Sequence, residues 1–153
     1  MAAQSIDQYH ANPVELENPI SASYLKDNIS RQSPKLILTP DTEKRIKQLL
    51  KSDPLVMAYY DYLKEQSRQI LTEPLLERKL QGFRLLAVSR EMVERMGILC
   101  MVYKIDKEAK VLERIDQELK AVCAFVDWNN QHFLDVAEMS FAVALAVDWV
   151  GEW

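Results

Sequence analysis

Residues 125–139 hold the densest group of chemically capable side chains in the sequence. An indole, side-chain amides, an imidazole and carboxylates follow one another between two strongly apolar helical patterns. The five residues that could contact a ligand are Trp128, Asn129, His132, Asp135 and Glu138. Polar residues in such a position either cap a helix or line a pocket. Any function of the chain is therefore predicted to lie here.

The spacing of these residues restricts the chemistry that they can perform. His132 and Asp135 share one side of a helix if the helix has begun by that point. Glu138 lies about 120° around the helix from His132, so the three side chains are poorly placed to bind one metal ion. The histidine pairs and added cysteines of zinc sites do not occur either. We therefore predict no metal and no cofactor.

The same residues give little indication of a catalytic site. No serine lies in a glycine-flanked elbow, and Ser140 falls inside the predicted helix. Acid–base work by Asp135 together with Asp127 or Glu138 would require that both carboxylates face one pocket. The sequence does not fix the distance between them.

A structural role for the stretch is the alternative. Asp127 or Asn129 would cap the following helix, since both residue types are frequent N-caps. Trp128 would then fill the core, and His132 would form a hydrogen bond with a backbone carbonyl group. The residues alone leave both interpretations open.

The composition predicts a globular, all-helical protein. Of the 153 residues, 48% are apolar and 27% are charged, and only three are glycine, which sheet proteins need for turns. A formal charge of −4 offers no basic face for nucleic acid. No apolar run reaches ~18 residues, so no membrane span is predicted. Cys100 and Cys123 are predicted to be buried free thiols, and a disulfide between neighbouring helices stays open.

Two regions are predicted along the chain. Residues 1–33 are polar and poorly periodic, and we predict an extended or partly ordered arm that contains a solvated His10. Residues 34–153 are predicted to be the helical part of one domain. Successive amphipathic patterns with short connections there favour antiparallel helical hairpins.

Capping residues predict where the helices of this region begin. A short buried run at residues 36–38 precedes Thr39, which fits an N-cap with Pro40 at the first helical position. Asp53, also followed by proline, repeats the same signal. Ser89 is predicted to cap a later helix.

Residues 73–85 are predicted to form the least regular segment. Its bases Arg78, Lys79 and Arg84 could approach an anionic ligand. A solvated loop is the favoured interpretation of the segment.

The last helical pattern begins at Phe133 and is apolar nearly all round, as in a helix that is buried on most sides. The chain is expected to be cut short, with a missing part covering this helix. Exposed Phe141, Val143 and Val147 would then favour self-association.

Three segments of the chain are similar to a known family. The pattern Phe-x-Asp-Trp-Asn-x-x-His-Phe-Leu-Asp-x-Ala-Glu-Met covers residues 125–139, and alternating alanines and Asp148-Trp149 follow it. Residues 36–40 and 84–91 match in the same order. Together they resemble the N-terminal toroid region of the heparinase II/III-like polysaccharide lyases, which include oligoalginate lyases. The resemblance runs from about residue 33 to the end, and only the long motif is specific.

The resemblance implies an incomplete (α/α) toroid that binds an acidic, uronate-containing glycan in a cleft. Family members cleave by β-elimination: a base removes the proton at C5, another group neutralises the carboxylate, and an acid protonates the leaving oxygen. The usual carriers are Asn, His and Tyr, which in the family lie in later helices, beyond residue 153. The chain is expected to be the N-terminal portion of such a lyase, inactive as it stands.

By the same analogy, five residues would line or brace the cleft floor: Trp128, Asn129, His132, Asp135 and Glu138. Trp128 would be either a sugar-stacking platform or a core residue. The implied partner is an acidic polysaccharide or oligosaccharide. Related lyases are exported, which favours the periplasm or secretion, although no signal peptide is present in the sequence.

The sequence departs from the family at several positions. Asn130 and Gln131 replace the usual proline and serine, and Ser33 replaces a histidine. Val147 and Gly151 stand where the family has tyrosines. A truncated or degenerate member is therefore expected. The alternative is a non-catalytic helical module that binds a glycan or a protein partner.

Overall fold

A computed structural model of the chain describes residues 23, 24, 26 and 34–151. The chain divides into two compact units between residues 31 and 32. In the first unit, Ser23, Tyr24 and Lys26 are helical and exposed. The rest of the predicted arm, including His10, lies outside the described residues.

The second unit is all-helical, as the composition predicts. Its described residues form five helices, which are α1 (Pro40–Leu49), α2 (Pro54–Ile70), α3 (Leu86–Asp106), α4 (Ala109–Cys123) and α5 (Phe133–Val150). They contain no strand, and extended pairing is limited to a bridge between Gln81 and Arg84.

The first two helices begin where the capping residues predict. Thr39 Oγ1 accepts a hydrogen bond from the backbone N–H of Thr42 at 3.2 Å, and Pro40 is the first helical residue. Asp53 Oδ1 accepts one from the N–H of Leu55 at 2.9 Å. Each cap satisfies an N–H group that has no partner inside its helix. Local sequence is therefore sufficient to set both starts.

The third helix begins earlier than Ser89, so the predicted cap is wrong. Ser89 lies buried inside α3, where its hydroxyl donates to the backbone oxygen of Asp135 at 2.8 Å. Leu85 stands at the N-cap, and its N–H donates to Asp135 Oδ2 at 2.7 Å. The acceptor at the start of α3 is thus supplied by α5.

Helix α3 is the central element of the second unit, because it packs against α2, α4 and α5. Only Lys107 and Glu108 separate α3 from α4, and Lys107 has left-handed backbone geometry. The chain therefore reverses there, and the two helices form a hairpin. The fully buried apolar side chains include Leu85, Met92, Met96, Leu99, Ile115 and Met139.

The segment before α1 is only in part the buried run that its apolar residues predict, because Leu38 is buried whereas Leu36 is 40% exposed. Ile37 is 72% exposed and has a φ of 62°, which is rare for a β-branched residue. The N–H of Leu36 donates to Asp148 Oδ2 at 2.8 Å, and Trp149 Nε1 donates to the backbone oxygen of Leu36 at 2.7 Å. Contacts with the end of α5 thus hold this turn in place.

Helix α5 has a buried and an exposed face, both largely apolar. The exposed large apolar side chains on it are Phe133, Leu134, Phe141 and Val147. The expectation of a helix buried on most sides is therefore met on one face only. None of the described helices is both long enough and apolar enough to cross a membrane.

Cys100 and Cys123 are free thiols. Cys100 is buried as predicted, and burial raises the pKa of its thiol to about 12. The prediction is wrong for Cys123, which is exposed at the C-terminal end of α4.

Candidate functional site

Two irregular segments meet next to the N-terminal turns of α3 and α5. The α2–α3 connector comprises residues 71–85, and the α4–α5 loop comprises residues 124–132. Arg78 of the connector donates from Nε to the backbone oxygen of Asp127 at 3.1 Å and from Nη2 to Asp127 Oδ1 at 2.7 Å. The hydrogen bond from Arg78 lowers the pKa of the Asp127 carboxyl group. An ion pair therefore joins the two segments.

Asp135 ties the same segments to the first turn of α5. Its carboxylate is fully buried and accepts four hydrogen bonds. Arg84 Nε and Nη2 donate to Oδ1 at 3.0 and 2.7 Å, whereas the Leu85 N–H and Asn129 Nδ2 each donate to Oδ2 at 2.7 Å. Both oxygens of Asp135 are thus used inside the protein.

The hydrogen bonds to Asp135 keep its carboxylate ionised. Burial alone raises the pKa, but the hydrogen bonds from Arg84, Asn129 and Leu85 outweigh it and bring the pKa to about 2. The side chain of Arg84 is 41% exposed, so the positive partner of the pair reaches solvent.

Asn129 links Asp135 to the α2–α3 connector through hydrogen bonds. It has a φ of 63°, a conformation that asparagine tolerates well, and its N–H donates to Asp127 Oδ1 at 2.6 Å. Its Nδ2 donates both to Asp135 Oδ2 and, at 2.8 Å, to the backbone oxygen of Phe83. Both amide hydrogens are therefore used. Within residues 34–151, the side-chain oxygen of Asn129 accepts no hydrogen bond.

Trp128 and Glu138 occupy positions of a different kind. Trp128 packs against the core and donates from Nε1 to the backbone oxygen of Val122 at 2.8 Å, in the last turn of α4. Glu138 forms an ion pair with Arg90 on the surface, with an N–O distance of 3.3 Å. Sugar contacts by these two residues stay predictions.

A groove with a volume of 520 Å³ opens between the α2–α3 connector and the α4–α5 loop. Its lining residues are Arg78, Leu80, Phe83, Asp127, Asn129, Asn130, Gln131 and His132. Of the five residues singled out from the sequence, Asn129 and His132 line the groove. Asp135 does not line it but accepts a hydrogen bond from Asn129, which does. The volume lies in the range of ~300–1,000 Å³ that is typical of small-molecule sites.

His132 lies at the point where the α4–α5 loop enters α5. It stands at the N-cap, but its side chain makes no capping hydrogen bond. Among the described residues, no hydrogen bond engages its imidazole, and the residue lines the groove.

The lining residues are better suited to binding than to paired acid–base chemistry. Their ionisable members are Arg78, Asp127 and His132, and the first two form an ion pair through one edge of the guanidinium group. Across the described part of the chain, no group of three or more His, Cys, Asp or Glu residues is placed to hold a metal ion.

The connector contributes more to the groove than its sequence indicates. Phe83 follows Gly82 in a tight turn and is 84% exposed. The only sequence feature that could have identified it as a groove residue is its position as a lone aromatic residue beside glycine in an irregular loop. The prediction of a solvated loop is wrong at Leu76 and Leu85, which are buried.

A second buried carboxylate holds the other end of the connector. Glu118 Oε1 accepts hydrogen bonds from Arg95 and, at 2.8 and 3.0 Å, from Arg114, whereas Oε2 accepts one from the Leu76 N–H at 3.3 Å. Both guanidinium groups also donate to the backbone oxygen of Pro74, at 2.9 and 3.2 Å. The connector is thus fixed at both ends, and its middle forms one wall of the groove.

No protein-family model matches the sequence, and no curated protein matches it.

Proposed function

We propose that this chain is the N-terminal, glycan-binding portion of a polysaccharide lyase of the heparinase II/III-like type. Its helices would form part of an (α/α) toroid, and the enzyme would act by β-elimination on uronate-containing glycans that resemble alginate or heparin. The motif at residues 125–139 and the all-helical fold support the proposal. Export to the periplasm or secretion belongs to it, because such glycans lie outside the cytoplasm.

The observation that carries the proposal is the groove between the α2–α3 connector and the α4–α5 loop. Its walls combine an exposed aromatic ring, the side chains of Asn130 and Gln131, an imidazole and a guanidinium group. Primary amides donate and accept hydrogen bonds at once, which suits the hydroxyl groups of a sugar. The face of an aromatic ring attracts the weakly positive C–H groups of a sugar ring.

The same residues do not supply a complete elimination site, so the proposal places the reaction outside this chain. β-Elimination requires a base, an acid and a group that neutralises the uronate carboxylate. The residues that line the groove include one histidine, His132, and no tyrosine. The chain would therefore bind the glycan without cleaving it.

We expect the chain to bind alginate and heparin-type oligosaccharides in isothermal titration calorimetry and to release no unsaturated product. The product would be followed by its ultraviolet absorbance, since elimination creates a conjugated double bond. The circular dichroism spectrum must show a folded helical protein in the same buffer.

Two outcomes would overturn parts of this proposal. If a folded chain binds none of these glycans, the glycan-binding function is wrong. If the absorbance rises, and His132→Ala abolishes the rise, the elimination machinery lies within these residues and the placement outside them is wrong.

The exposed face of α5 favours a second candidate function, the binding of a protein partner or a second copy. Contiguous exposed apolar surface is uncommon on monomers. For self-association we expect the mass measured by sedimentation equilibrium to increase with protein concentration and Phe141→Glu to abolish the increase. Phe83→Glu, an equally drastic change outside α5, is the control. A monomer at every concentration would contradict self-association.

A further inference from the structure

We propose that the α2–α3 connector supplies the two side chains that recognise an anionic sugar unit in the groove: Arg78 binds its carboxylate, and Phe83 packs against its ring. The inference rests on the glycan-binding function proposed above. It assigns recognition to the connector, whereas the resemblance points only to residues 125–139.

The exposed ring of Phe83 is attached to a rigid backbone. The backbone of Phe83 lies in a turn that is closed by two hydrogen bonds between Gln81 and Arg84, at 2.8 and 3.1 Å. Asn129 fixes the backbone oxygen of Phe83, and Asp135 fixes Arg84 on its C-terminal side. A ring that is 84% exposed is thus presented from an immobilised backbone. Binding against it requires little further ordering of the protein.

The guanidinium group of Arg78 has a fixed orientation. Asp127 holds Nε and Nη2 of Arg78, so the plane of the guanidinium group is fixed. Within residues 34–151, Nη1 of Arg78 takes part in no hydrogen bond, although its side chain is only 26% exposed. The outer edge of the guanidinium group is therefore available to a carboxylate, which arginine binds through paired, charge-assisted hydrogen bonds.

The groove combines groups that suit a carboxylate with groups that suit a sugar ring. A carboxylate alone would need only Arg78, and a neutral sugar would need only the ring and the amide groups. The groove offers both, together with the exposed side chains of Asn130 and Gln131 for hydroxyl groups. A sugar ring that carries a carboxylate, as in a uronate, is the ligand that uses all of them.

The test is isothermal titration calorimetry of the whole chain with two probes. One probe is an alginate tetrasaccharide, and the other is the same tetrasaccharide with its carboxylates reduced to alcohols. We expect Phe83→Ala to weaken binding of both probes about tenfold. Arg78→Gln is expected to weaken binding of the acidic probe about tenfold and to leave the neutral probe unchanged.

Each variant has a matched control. Phe133→Ala removes an equally exposed ring, 85% against 84%, from a residue that does not line the groove. Arg68→Gln removes a guanidinium group that forms a surface pair with Glu65 on α2. Arg78→Lys keeps the charge without the planar fork, and it should recover only part of the affinity. All variants are compared at equal helicity by circular dichroism.

The outcomes separate this inference from the proposed function. If the unmodified chain binds neither probe, the glycan-binding function itself is wrong. If it binds the acidic probe and Phe83→Ala and Arg78→Gln behave like their controls, glycan binding stands and the connector is not the recognition element.

Discussion

Replacing Glu118 by alanine is expected to lower the free energy of unfolding by about 3–5 kcal/mol, the usual effect of removing one partner from a buried ion pair. Arg114, which is 6% exposed, would keep the backbone oxygen of Pro74 as its one hydrogen-bond partner among the described residues. Arg95 would keep Glu91, Glu73 and the same oxygen of Pro74, but its Nε is already buried without a partner in the described part of the chain. The measurement is urea denaturation followed by circular dichroism.

Glu113 on the same helix provides the control. It is exposed, and its carboxylate accepts a single long hydrogen bond, from Gln117 at 3.4 Å, so Glu113→Ala should change stability by less than about 0.5 kcal/mol. Glu118→Gln keeps the shape and one acceptor oxygen, and it should fall between the two. If Glu118→Ala unfolds at the same urea concentration as Glu113→Ala, the buried network does not stabilise the fold.

Replacing Asp135 by alanine is expected to lower the free energy of unfolding by about 3 kcal/mol. The change leaves the buried Leu85 N–H without its acceptor, which is destabilising, and Asn129 Nδ2 loses one of its two acceptors. Arg84 can turn to water, since its side chain is partly exposed, so the effect should lie below that of Glu118→Ala. Glu138→Ala is the control, because its pair with Arg90 is on the surface.

The pH dependence of stability gives an independent test of Asp135. Its pKa is depressed in the folded state, from 3.8 to about 2, so the folded protein binds this proton less readily than the unfolded chain. The stabilisation is therefore present above about pH 4 and is lost as the pH falls towards 2. We expect Asp135→Asn to flatten the stability curve in that window. A curve with an unchanged slope would falsify the assignment.

Local signals in the sequence were sufficient for part of the fold. Thr39 and Asp53 cap their helices through hydrogen bonds to residues two or three positions along the chain, so their neighbours carry all the necessary information. The scarcity of glycine, likewise, correctly predicted helices throughout the described second unit.

Local sequence patterns do not predict contacts between residues that are far apart in the chain. The start of α3 depends on Asp135, fifty positions away, and the turn at Ile37 depends on Asp148 and Trp149. Glu118 could have been found, because it falls in the stripe of α4 that also contains Ile115 and Val122, where a charged residue is unusual.

The candidate site was predictable only where the residues sit in one short stretch. Asn129 and His132 were singled out from residues 125–139, and both line the groove. The opposite wall, with Arg78 and Phe83, comes from a segment that local patterns describe merely as irregular. Its position depends on two buried carboxylates that lie on other helices.

The hydrogen bond from Leu36 to Asp148 joins residues 112 positions apart, and it has a consequence for how the chain assembles. The entropy lost on closing a loop increases with the length of the loop. We therefore expect this contact to form late in folding, after the intervening helices have docked, and to open without unfolding them. In hydrogen-exchange measurements, the amide protons of Lys35 and Leu36, which both donate to Asp148, are then expected to exchange faster than global unfolding allows.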